Sequence, residues 1–296
     1  MNSYGEVVTV GILMGSIARF ALLKIDYRQY PSYPQGYLVH LALGFIAASL
    51  GAVAVPALIE KEYTAVTFLA LAAQQFRDIR SMERESLAKL EDTELVPRGS
   101  AYIEDIAKVF ESRNYMAIFT SLGSSLGVYY LNIFWGIITG MVLIILFHLV
   151  SRRQTIRSIS IVREGKLHFK GPLLYVEDIL IMNVGLKNSR KIIKEKGLGV
   201  IIEPKDDNAR ATLANMGQRQ AIAHDASALL GIRKDFGEPE FTPLIRRNHA
   251  TGEIGMFIIP SEPDIKYLIE AVKRVPVIES SKRTPLSSEV GKKAAD

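Results

Sequence analysis

One stretch of the sequence limits the fold more than any other, because residues 114–150 contain no Asp, Glu, Lys or Arg. A helix rises about 1.5 Å per residue and the hydrocarbon core of a bilayer is about 30 Å thick, so about 20 apolar residues cross it. A run of 37 residues is too long for one span and long enough for two. We predict spans at 115–128 and 131–150, joined by a turn around 129–132.

Two earlier apolar stretches, 7–23 and 37–59, are also long enough to cross a bilayer. Mean hydropathy is +0.15 although 23 % of the residues are charged, because the apolar residues are concentrated in the first half of the chain. This distribution excludes a disordered chain and a single soluble globule. We predict an α-helical transmembrane bundle of about four spans in residues 1–150.

The basic residues of the loops predict how these spans are oriented. The loop 24–35 has two of them, and the loop 60–114 has eight, from Lys61 to Arg113. Six more follow the last apolar stretch closely. Since Lys and Arg are retained on the inner side of a membrane, we expect a multi-pass protein of the cell membrane. The loop 60–114, the C-terminal region and both termini are predicted to be cytosolic, with the turn 129–132 outside.

Small residues at helical spacing mark faces where membrane helices can pack closely. Gly11 and Gly15 form one such pair, and Gly44, Ala48 and Gly51 form another face. Helix packing in lipid depends on close backbone approach. We expect these faces to serve packing within one molecule in the first place, with a homo-oligomer as the alternative.

An amphipathic helix is predicted over 63–91, and a six-residue motif follows it. The motif consists of Tyr102, Ile103, Glu104, Asp105, Ile106 and Ala107. Helical spacing predicts one apolar face with Tyr102, Ile103, Ile106 and Ala107, and an opposite solvated face with Glu104 and Asp105. The motif resembles the signature of the YIEGIA family of membrane proteins from endospore-forming bacteria, and the resemblance extends to residues 26–31, 72–77 and 217–222. Asp105 stands where the family's signature has Gly. The resemblance implies a membrane location and a link to sporulation, and it supplies no established active site.

The C-terminal region alternates between strand and helix patterns, which predicts a cytosolic α/β domain over 151–279. The predicted strands are 159–162, 167–169, 173–176, 199–203, 241–246 and 254–259. The predicted helices are 184–196, 206–230 and 263–275. Residues 280–296 lack an apolar pattern and are expected to form a disordered tail.

This region is basic, with 25 Lys and Arg against 18 Asp and Glu in residues 151–296. Four arginines just after the last span are predicted to contact lipid head groups. They are Arg152, Arg153, Arg157 and Arg163. Nucleic acid is not an expected partner, because no binding signature accompanies the charge and aromatic residues are not interleaved with it.

Little in the sequence points to catalysis. The chain has no cysteine and no phosphate-binding glycine loop, and its five histidines are scattered, so no metal and no cofactor is expected. The best catalytic candidates are Ser124 or Ser125 with His148, as in a membrane-embedded serine protease. Their expected depths in the bilayer differ, which argues against such a pair.

We therefore expect a non-enzymatic scaffold or regulator linked to sporulation, whose cytosolic domain binds a protein partner. A membrane-embedded protease using Ser124 or Ser125 is the first alternative. A small-solute channel or transporter is the second, because Arg19 and His40 are polar groups in or near the spans.

Overall fold

Long helices fill the first half of the chain in the computed structural model, which describes residues 4–26, 34–92, 94–151, 153–232, 234–235, 238–239 and 241–293. These helices are α1 (Tyr4–Asp26), α2 (Pro34–Ile59), α3 (Tyr63–Glu91), α4 (Ser100–Tyr130) and α5 (Ile133–Val150). The side chain of Asn132 caps α5 by accepting a hydrogen bond from the Trp135 N–H at 3.2 Å. The predicted turn between the last two apolar segments therefore lies at Leu131–Asn132.

The chain divides into two units that are not continuous in sequence. The N-terminal unit holds Met1–Ser86 and Ile106–Arg152, and the C-terminal unit holds Leu87–Asp105 and Arg153–Asp296. The chain thus passes from one unit to the other three times. This differs from the predicted boundary at residue 151, because the end of α3 and the start of α4 belong to the C-terminal unit.

Three of the described helices are long and apolar enough to cross a membrane, over Tyr4–Leu22, Leu38–Ile59 and Ile133–Val150. The fourth predicted span, 115–128, forms part of α4 and is not among them. Its serines and glycines lower its hydropathy, so the prediction of four spans is not confirmed by this criterion.

Contacts between these helices give their relative directions. Gly11 lies against Ser125, and Gly15 lies against Ala117, so α1 and α4 are antiparallel. Helices α4 and α5 are also antiparallel, since Gly127 contacts Gly136 at one end and Met116 contacts Ser151 at the other. It follows that α1 and α5 run in the same direction.

One end of the N-terminal unit gathers Tyr4, Glu60 and Tyr129. The Tyr4 hydroxyl donates to the Glu60 carboxylate, and the ring of Tyr4 stacks on that of Tyr129 with 6.3 Å between centroids. We call this the Tyr4 end. At the opposite end, the Arg19 end, the rings of His40 and Phe110 meet with 4.6 Å between centroids, and the Arg19 guanidinium lies 5.3 Å from the Phe110 ring.

Helix α3 starts at the Tyr4 end and runs the length of the N-terminal unit. Phe76 is buried in a cluster with Ala47 and Ala117, and Arg80 pairs with Glu111 at 3.2 Å. The helix is therefore antiparallel to both α2 and α4. The predicted amphipathic helix has the same bounds as α3, but it lies along the other helices of this unit.

The C-terminal unit is built from short strands and helices. The strands are β1 (Ser160–Glu164), β2 (Leu167–Lys170), β3 (Leu173–Val176), β4 (Ile179–Asn183), β5 (Leu198–Pro204), β6 (Lys234–Asp235), β7 (Glu238–Pro239), β8 (Leu244–Arg247) and β9 (Ile254–Ile258). The helices are α6 (Ile156–Ile159), α7 (Lys187–Lys196), α8 (Asp207–Leu213), α9 (Met216–Leu230), α10 (Ile265–Arg274) and α11 (Glu289–Lys293).

Two antiparallel sheets enclose the main core of this unit. The first has the strand order β1-β5-β9-β8 and the second β2-β3-β4. Ile201 and Phe257 of the first sheet share a buried cluster with Leu174 and Ile181 of the second. Helices α8, α9 and α10 also contact the first sheet. Because side chains alternate between the faces of a strand, these helices cover its other face.

The predicted helix-plus-strand region is confirmed, with local differences. The predicted helix 206–230 is interrupted, because Asn215 begins α9 by accepting a hydrogen bond from the Gln218 N–H at 3.2 Å. Strand β4 was not predicted. The start of the predicted disordered tail is ordered, since the buried Ser281 hydroxyl donates to Gln218 Oε1 at 2.9 Å and the Leu286 N–H donates to Asn208 at 2.9 Å.

Candidate functional site

The segment that joins α3 to α4 is held by its own polar contacts. Glu91 accepts hydrogen bonds from the N–H groups of Arg98 and Gly99, both at 2.9 Å. Arg98 Nη1 in turn lies 2.9 Å from Glu94 Oε1. Gly99 has a φ of +84°, a conformation that glycine adopts without strain, and this turn starts α4.

Helix α9 carries three side chains that hold this segment in place. Gln220 Nε2 donates to the Pro97 carbonyl at 2.5 Å. His224 Nδ1 lies 2.6 Å from the Val96 carbonyl oxygen, so this nitrogen carries the proton and donates. The Tyr102 hydroxyl donates to Asp225 Oδ2 at 3.1 Å. Gly217 also packs against Ala101, the residue that directly precedes the motif 102–107.

Asp105, the departure from the family's signature, is almost fully buried. Its Oδ1 accepts from the Glu279 N–H at 2.9 Å, and its Oδ2 lies 2.7 Å from Arg153 Nη2. The helical pattern placed Asp105 on the solvated face together with Glu104, and the structure corrects this. Residues from the far end of the chain cover that face, which the local pattern cannot reveal. Ile103, Ile106 and Ala107 are buried as their spacing predicts.

A cavity of about 310 Å³ lies beside these contacts and is lined by Glu94, Val96, His224, Ser227 and Gly231 among others. We take it, with Tyr102 and Asp225, as the candidate functional site. Among the described residues no group of three or more His, Cys, Asp or Glu could hold a metal ion.

Burial sets the protonation of the site. It raises the pKa of Asp225 to about 6 against the opposing effects of the Tyr102 hydrogen bond and Arg98, and it lowers the pKa of His224. Burial and the Asp225 carboxylate raise the pKa of Tyr102 well above its usual value. A neutral His224 that donates through Nδ1 leaves Nε2 as an acceptor. The Ser227 hydroxyl is bonded to the Ala223 carbonyl at 2.7 Å, so the site suits binding better than nucleophilic attack.

The candidate serine–histidine pair, against which the expected depths argued, is not brought together. Ser124 donates to the Gly136 carbonyl at 2.9 Å, and Ser125 donates to the Val7 carbonyl at 3.0 Å. His148 is exposed and lies twelve residues beyond Gly136 on α5, which is about 18 Å along a helix. The hydroxyl group of each serine therefore binds a main-chain carbonyl of a neighbouring helix.

The small residues singled out in the sequence all lie at helix contacts of the N-terminal unit. Gly11 also contacts Ala52, Gly15 contacts Ala48, and Gly51 contacts the backbone of Ile118. Gly44 accommodates the aliphatic stem of Arg19, whose Nη2 lies 3.2 Å from His40 Nδ1. The two polar groups behind the channel alternative are therefore in contact with each other.

The four arginines predicted to contact lipid head groups have different surroundings. Arg152 lies outside the described residues. Arg153 is paired with Asp105, and Arg157 is exposed. Arg163 lies near three carboxylates from different parts of the C-terminal unit. Its nearest acidic neighbours are Glu177 at 3.4 Å, Glu253 at 3.8 Å and Glu203 at 3.9 Å.

Sequence reasoning missed the residues that complete the site. Asp225 and His224 are adjacent on α9, so their spacing alone suggests no common site, yet each of them binds a different part of the 94–105 segment. The resemblance at residues 102–107 and 217–222 was the available signal, because it marked Tyr102 and the first turns of the helix that carries His224 and Asp225.

The comparisons with known proteins agree with this resemblance. The sequence model of the YIEGIA protein family matches residues 7–288. The chain belongs to the YIEGIA family. The uncharacterised protein YphB of Bacillus subtilis (strain 168) is 42 % identical over 285 residues, which cover 96 % of each chain. No solved structure matches the chain. The family predicted from the motif is thus confirmed, with Asp105 in place of the glycine in its name.

Proposed function

We propose that this chain is a multi-pass membrane regulator or scaffold whose C-terminal unit faces the cytosol and binds a protein partner. The single observation that carries the proposal is the threefold passage of the chain between the two units. A domain that is only anchored to a membrane needs one connection. Here the C-terminal unit is connected to α3, α4 and α5, and Tyr102 and Asp105 are buried within it.

The helix directions support an odd number of membrane crossings. Helices α1 and α5 are parallel, so the chain enters at the Tyr4 end and leaves the bundle at the Arg19 end. Helix α3 runs from the Tyr4 end to the Arg19 end, and α4 runs back. This pair therefore adds either two membrane crossings or none. The N-terminus and the C-terminal unit would then lie on opposite sides, in place of the four-span arrangement expected from hydropathy.

Charge supports the choice of sides. Lys61 lies in the turn at the Tyr4 end, whereas Arg80 and Arg113 lie near the Arg19 end, beside Glu111 and Phe110 of α4. The inner side of a membrane retains the positive residues. We therefore place the C-terminal unit in the cytosol and the Tyr4 end outside.

A link to sporulation is part of the proposal, and it is supported by the family resemblance. The test is to delete the gene for YphB in Bacillus subtilis and to express this chain in its place. We expect fewer heat-resistant spores after the deletion and recovery with the native chain. Unchanged spore counts after the deletion would contradict the sporulation link.

The same strain separates a regulator from a membrane protease. Because Ser124 and Ser125 bind backbone carbonyls, the double variant Ser124→Ala/Ser125→Ala should restore sporulation. Asp105→Ala should not restore it when present at the native level, since it removes the buried carboxylate that binds Arg153 and the Glu279 N–H within the C-terminal unit. Loss of function in the double serine variant at normal abundance would favour the protease.

Partner binding is tested by cross-linking in sporulating cells. We expect the native chain to form a discrete adduct with one protein, and Asp105→Ala to lose it. The matched control is Glu177→Ala, which removes an exposed carboxylate near Arg163 and should keep the adduct. Absence of any adduct with the native chain, or its persistence in Asp105→Ala, would contradict the proposal.

A further inference from the structure

Positively charged side chains converge in the C-terminal unit where β8 ends. Arg247 is the last residue of β8, and its Nη2 lies 2.9 Å from Nδ1 of His249 in the following turn. Arg210 of α8 reaches the same turn and donates to the Ala250 carbonyl at 2.7 Å.

Arg219 adds a further guanidinium from the first turn of α9, which packs against β8. Its Nη2 donates to the Ala214 carbonyl at 3.4 Å, and its Nε is buried with no hydrogen-bond partner among the described residues. Arg247 pairs across the sheet with Ile254, which is fully buried. Side chains of paired residues share a face, so Arg247 lies on the face that α8, α9 and α10 cover.

The electrostatics of this cluster differ from those of other arginines in the same unit. Arg98, Arg153 and Arg163 all lie within 4 Å of a carboxylate. Neither Arg219 nor Arg247 forms an ion pair with an acid in the part of the chain that the structure describes. Burial, followed by the positive charges of Arg247 and Arg246, lowers the pKa of Arg219. Like charges gathered in a partly buried cluster oppose folding unless an anion joins them.

We propose that Arg219 and Arg247, with Arg210 beside them, form a binding site for a phosphate-bearing anion. A guanidinium presents a planar set of N–H donors that matches the oxygens of a phosphate group. The buried Nε of Arg219 supplies one donor for which the described part of the chain offers no acceptor. Such a phosphate can belong to a soluble compound or to the head group of a phospholipid. This site stands independently of the function proposed above.

The test uses the full chain in phosphatidylcholine nanodiscs and measures hydrogen–deuterium exchange in peptides that cover α9 and β8. One arm adds inorganic phosphate, with chloride at equal ionic strength as the reference. A second arm replaces part of the phosphatidylcholine by phosphatidylglycerol. At a phosphate concentration ten times the dissociation constant, exchange should slow about tenfold for amides that exchange only when local unfolding breaks the site. Protection by phosphate identifies a soluble ligand, protection by phosphatidylglycerol alone identifies a lipid, and protection in neither arm overturns the proposal.

Three variants make this test specific. Arg219→Gln and Arg247→Gln should each lose the protection, whereas Arg157→Gln, which changes an exposed arginine, should keep it. In chloride alone, Arg247→Gln should exchange no faster than the native chain, because it removes a repulsion from Arg219. Faster exchange of Arg247→Gln in chloride would assign Arg247 to the support of the fold and would overturn the proposal. A native response in both cluster variants would overturn it as well.

Discussion

The buried polar groups in the two parts of α4 have different kinds of hydrogen-bonding partner. Its first residues, 100–105, belong to the C-terminal unit. There the Tyr102 hydroxyl binds Asp225, and Asp105 forms an ion pair with Arg153. The remainder of α4 belongs to the N-terminal unit, where three serines bind main-chain carbonyls of three other helices. They are Ser121 with Ala48 of α2, Ser124 with Gly136 of α5 and Ser125 with Val7 of α1.

This difference fits the proposed arrangement, with the N-terminal unit in the membrane and the C-terminal unit in the cytosol. In a membrane bundle, small residues permit close backbone approach and a hydroxyl can reach a carbonyl, but an uncompensated charge is costly. In a water-soluble domain, charged groups can be buried when they are paired. The buried polar groups of α4 therefore change along the helix. They are paired charges up to Asp105, and hydroxyls beside small residues follow beyond Asn114. We expect substitutions in the two parts to differ in cost accordingly.

The largest effect is expected at Asp105. Asp105→Ala leaves Arg153 and the Glu279 N–H without their carboxylate, and breaking a buried pair costs about 3–5 kcal/mol. The measurement is the free energy of unfolding of the C-terminal unit, from hydrogen exchange in β5 and β9. The control Glu177→Ala, at an exposed pair with Arg163, should cost at most about 1 kcal/mol. Equal costs for the two variants would contradict this account.

Asp225→Asn should change how stability depends on pH. The folded chain raises the pKa of Asp225 from 3.8 to about 6, so the native carboxyl contributes stability below about pH 4 and loses it as pH rises to about 6. One pKa unit is worth about 1.4 kcal/mol. The free energy of unfolding of the variant should therefore rise by up to about 3 kcal/mol relative to that of the native chain as the pH rises through this range. Parallel profiles of the two proteins would show that Asp225 is not buried as described.

A smaller effect is expected where α2 meets α4. A side chain at Gly51 would collide with the Ile118 carbonyl, so Gly51→Ala should cost about 2 kcal/mol through overpacking. Trp135, the single tryptophan of the chain, lies on α5 and reports thermal unfolding of this unit by fluorescence. Gly185→Ala is the control, because nothing lies within 4 Å of that position. Similar melting of the two variants would argue against close contact of α2 and α4.

The smallest effect is expected at Ser121. Its hydroxyl donates to the Ala48 carbonyl at 2.6 Å, and hydrogen bonds between membrane helices average about 0.6 kcal/mol. Ser121→Ala should therefore lower stability by about that amount in the same fluorescence assay. Ser49→Ala, which removes a bond within one helix at 2.9 Å, should cost less. A loss at Ser121 as large as that at Asp105 would remove the contrast between the two parts of α4.

Hydropathy predicted the apolar helices α1, α2 and α5, because lipid-facing composition is a local property. Local periodicity likewise predicted β3, by strand alternation, and the burial of Tyr102, Ile103 and Ile106, by helical spacing. The direction of α3 and the burial of Asp105 could not be predicted in this way. Both depend on contacts between residues far apart in sequence, such as Phe76 with Ala47.

The candidate site was even less predictable. His224 and Asp225 become a site only because Val96 and Tyr102 arrive from more than 120 positions earlier in the chain. Neither local periodicity nor spacing contains that information. The family motif did mark Tyr102 as a residue of interest, although its signature gave no reason to expect a buried carboxylate at position 105.

Accessibility of engineered cysteines tests the central claim most directly, because the native chain has no cysteine. Glu62→Cys lies in the turn between α2 and α3, Leu131→Cys lies between α4 and α5, and Ser280→Cys lies in the C-terminal unit. If α1 and α5 cross the membrane in the same direction, an impermeant maleimide added to intact cells should label the first two and should reach Ser280→Cys only after lysis. Labelling of Leu131→Cys with protection of Glu62→Cys would instead mean an even number of crossings and would contradict the account.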